Sequence, residues 1–192
     1  MDTTTIAEVT IGQQIWTARN LNITTYRNGE PIFQVKNEEE WLNASENKKP
    51  ACCAYNFAES NVPLWGRLYN WYAVNDPRGL APEGWHVPTE REWSTLVDFL
   101  GESSAAYKMK SVELWYSYYN GSNQSGFNGL PAGAATYGGG FIFLREKAYF
   151  WGATAKDGMA FTLILGSGSY AGRNKYSHEV GQSVRCIKNS TL

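Results

Sequence analysis

Charge is scarce in this chain. Asp, Glu, Lys and Arg make up only 18% of its 192 residues and nearly cancel, at a net charge of −1. So balanced a surface offers no basic patch for phosphates, so neither nucleic acid nor an acidic membrane is expected as a partner. Histidine is rarer still. His86 and His178 lie far apart, no C-x-x-C occurs, and a zinc site is disfavoured. No Asp/Asn/Glu cluster has the spacing of a calcium loop, and no cofactor is assigned. The three cysteines, Cys52, Cys53 and Cys186, are too few for a disulfide framework, and their odd number leaves at least one thiol free. The vicinal pair does not readily close on itself, whereas a bridge from Cys52 or Cys53 to Cys186 is geometrically possible. Nothing approaches the roughly 18 consecutive apolar residues of a membrane span. Met1-Asp2-Thr3-Thr4-Thr5 lacks the basic and apolar regions of a signal peptide, which fits either a cytoplasmically made protein or a mature form freed of its leader.

Aromatics are plentiful instead, with eight Trp and twelve Tyr. The length fits one domain over residues 1–192 with a sizeable core. The clearest element begins at Thr89. Thr89 with Glu92 three residues on forms a capping-box signature, Pro88 stiffens the approach, and Trp93, Leu96, Val97 and Leu100 recur at helical spacing up to Gly101. Two further helices are expected. One is short, capped by Asn37 and opened by Glu38, Glu39 and Glu40; the acidic run there complements the helix dipole. The other spans Trp65 to Asn75, on the spacing of Leu68, Trp71, Tyr72 and Val74. Asn43 to Pro50 reads as a polar linker and residues 80–88 as a loop.

Residues 5–18 predict a hairpin that turns near Gly12-Gln13. Most of the glycines lie from Gly101 onward, so that half is expected to be loops and strands. Tyr149–Thr154, Met159–Leu165 and Gln182–Lys188 read as strands, with Val184 and Cys186 facing one way and Arg185 the other. The expected fold class is α+β: two or three helices packed on a small, mostly antiparallel sheet with long loops.

The candidates for chemistry are few. His86 is the obvious acid–base residue, but no partner carboxylate or nucleophile is spaced to meet it, so a histidine held in an aromatic shell is expected. Glu90 and Glu92 point away from each other on one helix, and capping accounts for them. Cys52 and Cys53 have only Lys48 and Lys49 nearby to lower a thiol pKa. Gly138-Gly139-Gly140 lacks the Lys-Ser/Thr and the helix of a phosphate loop. Ser167, Ser169, Tyr170, Arg173, Asn174 and Tyr176 form a different pattern. Ser, Tyr, Gly and Asn make up adaptable binding surfaces, and loops on a rigid scaffold carry function. The bland alternative is an ordinary polar hairpin.

Five ordered motifs carry a family resemblance: Trp16-Thr17-Ala18-Arg19-Asn20-Leu21-Asn22, Gly66-Arg67-Leu68-Tyr69-Asn70-Trp71-Tyr72-Ala73-Val74, Ala81-Pro82-Glu83-Gly84-Trp85-His86-Val87-Pro88-Thr89-Glu90-Arg91-Glu92-Trp93, Ser125-Gly126-Phe127-Asn128-Gly129-Leu130-Pro131-Ala132-Gly133 and Ser183-Val184-Arg185-Cys186-Ile187-Lys188. Together they resemble the Fibrobacter succinogenes major paralogous domain of Bacteroidetes-type bacteria, over about residues 9–188. The resemblance implies a C-type-lectin-like fold, related to the formylglycine-generating enzymes, in proteins that are mostly exported or at the cell surface. The enzymes of that superfamily need a cysteine pair near the C-terminal part, where this chain has only Cys186. Its retroelement-diversified display domains carry a Trp-Ser-Ser-Thr-like run where this chain has Phe150-Trp151-Gly152-Ala153-Thr154, which adds Trp151 to the candidate binding residues. The expectation is therefore a non-enzymatic domain that binds a protein or glycan through Trp151 and the 166–178 region. The rivals are a formylglycine-generating type of oxidoreductase and a structural subunit of a surface or virion assembly.

Overall fold

The computed structural model describes residues 6–116 and 118–190. The first half alternates short strands and helices: β1 (Glu8–Ile11), β2 (Gln14–Thr17), β3 (Phe33–Gln34), α1 (Glu38–Glu46), β4 (Ala51–Cys53), α2 (Val62–Trp65), β5 (Leu68–Tyr69), α3 (Trp71–Val74), β6 (Trp85–His86) and α4 (Glu90–Leu100). After α5 (Ala105–Met109) come β7 (Ala132–Ala135), β8 (Phe141–Leu144), β9 (Ala148–Lys156), β10 (Met159–Leu165), β11 (Gly172–Ser177) and β12 (Ile187–Lys188). The class is α+β, rich in strands, with five short helices among the described residues.

Three sheets share the strands. One runs β1-β2-β12-β6, the second β11-β10-β9-β7-β8 and the third β3-β4-β5. Pairing is antiparallel except at β7–β9 and β3–β4. The first hairpin turns at Gly12-Gln13 as its sequence predicts, with Ile11 opposite Gln14. α4 also follows its sequence. Thr89 Oγ1 accepts from the Glu92 N–H, the Glu92 carboxylate accepts from the Thr89 N–H at 2.8 Å, and Gly101 ends the helix at φ +85°. Its apolar stripe (Trp93, Leu96, Val97 and Leu100) is buried against β9 and β10, and each of those side chains contributes about 1.5–3 kcal/mol.

The Trp65–Asn75 region departs from expectation. It is a turn of helix, a two-residue strand and another turn of helix, not one helix. Gly66 sits at φ +75°, and a side chain there would meet Asn20. Asn70 then caps α3, while its amide also bonds Ala51 and Lys49 on either side of β4's start. The apolar residues three and four apart here fall in two elements, Leu68 in the strand and Trp71, Tyr72 and Val74 in the turn after it. Two smaller differences follow. α1 runs on through Glu46 into the expected linker, and α5 adds a helix to the glycine-rich half.

Residues 181–187 are all buried and cross the middle of the molecule. Gly181 bridges Ala135, Gln182 bridges Tyr69, Ser183 bridges Phe150, and Ile187 pairs with both Trp16 and His86. The segment thus touches all three sheets in turn. Only Ile187–Lys188 forms a ladder strand, because each preceding residue meets a different neighbour. Arg185 lies at its centre, fully buried and, among the described residues, with no carboxylate partner. Its guanidinium donates to Asn20 Oδ1, to the Thr17 and Phe127 carbonyls and to the Asn128 carbonyl, at 2.7–2.9 Å. The Phe127 ring lies 4.6 Å away. Burial pulls its pKa down to about 9, still high enough to leave it charged at neutral pH. Around it Trp16, Trp93, Phe127 and Phe150 form a linked aromatic cluster, with Trp16 and Trp93 at 4.6 Å.

Candidate binding surface

Residues 166–171 connect β10 to β11, the edge strand of the five-stranded sheet. Ser167, Ser169 and Tyr170 are exposed, Tyr170 at 62%, and Ala171 beneath them is buried in the core. The loop is held from below by Lys110, a fully buried lysine that follows α5. Its ammonium donates to the Gly166 carbonyl at 2.9 Å and the Gly168 carbonyl at 3.1 Å. Burial lowers its pKa, a cost that those carbonyls and the Trp115 ring at 5.2 Å offset. The Ser169 carbonyl accepts from the Ala106 N–H of α5 at 2.9 Å. Backbone and cation together fix the loop while its side chains stay free.

Beyond the loop, Gly172–Ser177 form a strand, where the sequence shows only a polar stretch, read as a binding surface or an ordinary hairpin loop. Strand alternation then divides the candidates. Arg173 stands opposite Leu163, on the face toward α4, and bonds Glu102 at 2.7 Å with Asp98 at 4.0 Å. Asn174 and Tyr176 stand opposite Thr162 and Ala160, on the other face. Asn174 is exposed, and its side-chain oxygen accepts from the Lys175 N–H. Tyr176 is half-buried, edge-on to Tyr149 at 5.7 Å. Trp151 is fully buried, and its indole N–H donates to the Tyr69 carbonyl at 2.8 Å. Its place is in the core, where the side chain packs in one buried cluster with Tyr69, Trp71, Val184 and Cys186. The expected patch therefore contracts to Ser167, Ser169, Tyr170 and Arg173 at the corner where α4 passes into α5. Glu102 and Lys110, which neither motif nor spacing marks, complete it.

The opening of α4 holds a cluster absent from the sequence reading. His86 Nε2 lies 2.7 Å from Glu92 Oε1, and His86 Nδ1 lies 2.7 Å from Asn189 Oδ1. A partner carboxylate does meet His86, corrected by the fold, which sets β6 beside the first turn of α4. Glu92 serves cap and histidine with different oxygens. Burial acts to raise its carboxyl pKa, but the bonds from Thr89 and His86 outweigh it and hold the value below the usual one. The histidine in an aromatic shell is His178 instead, stacked on Trp71 at 4.3 Å.

The three thiols are free and buried, so the possible bridge to Cys186 is not formed. Burial pushes Cys52 and Cys186 up to about 12, with Cys53 raised as well. Among the described residues no group of three or more His, Cys, Asp or Glu side chains is placed to hold a metal ion. Nor is any helix among them long and apolar enough to cross a membrane.

The family model described as the Fibrobacter succinogenes major domain matches residues 9–188. Comparison with curated proteins and with solved structures returned no match. The chain belongs to the Fibrobacter succinogenes major domain family.

Proposed function

We propose that this family member is a non-enzymatic binding domain with a C-type-lectin-like fold, which presents the corner around Ser167, Ser169, Tyr170 and Arg173 to a protein or glycan. The observation that carries this reading is Lys110. A buried lysine costs stability unless its charge is used, and here it is spent on two carbonyls of an exposed Ser/Gly/Tyr loop. A loop ordered in advance loses less entropy on binding, and tyrosine and arginine are the residue types that most often dominate contact energy. The 166–174 stretch lies between β10 and the buried 181–187 segment, the arrangement expected of a retroelement-diversified display domain.

Thiol chemistry supports the non-enzymatic side of the reading. A nucleophilic or redox cysteine needs an accessible thiolate, whereas Cys186 is buried and its pKa is raised. The test is an array of glycans and of surface proteins probed with the whole chain and with a Tyr170→Ala/Arg173→Ala variant. Binding that falls at least tenfold in the variant supports the assignment. A blank array, or binding that survives both substitutions, overturns it.

A further inference from the structure

The surface at that corner does not end at Tyr170. α5 runs beneath it, and on the other flank of α5 the chain at 118–126 closes over the same helix. There the N–H groups of Ser122, Asn123 and Ser125 donate to the carbonyls of Tyr107, Lys110 and Lys108 at 2.9–3.1 Å. A side chain at Gly121 would run into Lys110. Lys110 serves both flanks, its carbonyl accepting from Asn123 while its ammonium holds Gly166 and Gly168. With the Ala106–Ser169 bond, α5 becomes a beam that clamps two loops side by side.

Each of the three segments presents a tyrosine to solvent. Tyr107, the one fully exposed position of α5, is 49% accessible, Tyr118 is 89% and Tyr170 is 62%. Tyr119 is half-buried against the core with its ring centre 6.5 Å from that of Tyr118, and so ties down the start of the 118–126 loop. Rings held on a fixed backbone offer contact area with little entropy left to lose.

Composition selects the occupant. Residues 118–126 and 166–170 are Tyr, Asn, Gln, Ser and Gly throughout, with no charge and no aliphatic side chain. The charges at the border are engaged. Arg173 bonds Glu102, the Lys108 ammonium donates to the Leu100 carbonyl at 2.6 Å, and Lys147, whose stem passes Gly166, lies 4.3 Å over the Phe143 ring. Net charge of either sign therefore gives a ligand no advantage here. Aliphatic side chains of a protein partner find no counterpart, and serine is depleted from protein interfaces. A sugar ring suits both features: its layer of polarised C–H bonds settles on the negative face of an aromatic ring, and its hydroxyls bond serine, asparagine and glutamine, which donate and accept alike. We propose that this surface over α5 binds a neutral glycan, with the rings of Tyr107, Tyr118 and Tyr170 as stacking platforms. The proposal rests on the binding corner described above and chooses between its two ligand classes.

The probes are cellohexaose, mannohexaose and xylohexaose, with hexagalacturonic acid as the charged control. Each is titrated into the ¹⁵N-labelled whole chain. At least one neutral hexasaccharide is expected to shift the amides of Tyr107, Tyr118, Ser122 and Tyr170, and added salt should leave its affinity unchanged. Tyr118→Phe should retain binding. Tyr118→Leu, at a position too exposed to hold the fold, should weaken it about three- to tenfold through loss of the ring face. Array binding confined to proteins, yet lost in Tyr170→Ala/Arg173→Ala, keeps the corner and overturns the glycan. Saccharide binding that needs Tyr118 but survives Tyr170→Ala/Arg173→Ala overturns the corner and keeps the glycan. No shift with any neutral probe, stronger binding of the acidic one, or equal affinities for Tyr118→Phe and Tyr118→Leu overturn the proposal.

Discussion

Arg185 is buried with no counter-ion among the described residues, and its charge is balanced by four oxygens and an aromatic face. Hydrogen bonds to a charged group are worth about 1.5–3 kcal/mol each, against a typical domain stability of about 5–15 kcal/mol. Arg185→Met should therefore cost on the order of 3–5 kcal/mol, because it leaves several acceptors dry. Arg185→Lys should recover only part, since a point charge cannot serve a fork of separated acceptors. Urea unfolding of the two variants checks both. Glu92 gives a pH-dependent case at the same scale. Its folded pKa lies below its unfolded value, so its contribution is present above the unfolded pKa and disappears as pH falls through the folded one. Between about pH 5 and pH 3 the native chain should lose more stability than Glu92→Gln. Equal slopes in thermal melts across that range would contradict the pairing.

At the scale of elements, the 166–171 loop and α5 behave as one unit through Lys110 and the Ala106–Ser169 bond. Lys110→Met should cost about 1–3 kcal/mol and speed amide hydrogen exchange at residues 166–171 at least tenfold, while α4 stays protected. Exchange unchanged in the loop would remove the lysine from its assigned part in holding it. The β7–β8 hairpin depends on a glycine in another way. Gly133 sits at φ +64°, and a side chain there would run into the Ile142 backbone. Gly133→Ala should destabilise the protein by at least the roughly 1–2 kcal/mol that an L side chain costs in the left-handed region, measured by thermal unfolding. α4 was readable from residues alone because cap, stripe and stop all act within one helix. Trp65–Asn75 was not: its helical spacing joins Leu68 of strand β5 to Trp71, Tyr72 and Val74 of the turn after it, and Gly66 alone hints at the break.

For the whole molecule, the three cysteines report how tightly the segments close around one another. Cys52 and Cys186 lie in one buried cluster and Cys53 in another. A thiol reagent such as dithionitrobenzoate should find none of them in the native chain and all of them in guanidinium, while rapid labelling of native Cys186 would favour thiol chemistry. What the sequence determined by itself was whatever depends on neighbours a few residues away: the α4 cap and stripe, the first hairpin, the strand at Met159–Leu165, and the ordered motifs that identify the family. The tertiary structure alone decided which distant groups meet. It set His86 against Glu92, put Trp151 in the core, turned Tyr176 away from Arg173 and placed Lys110 under the exposed loop. It also made residues 181–187 the link between three sheets. The reason is physical: local pattern fixes which face of an element is apolar, but burial of a polar group depends on partners brought from 50 or more residues away, as with Arg185 and Asn20.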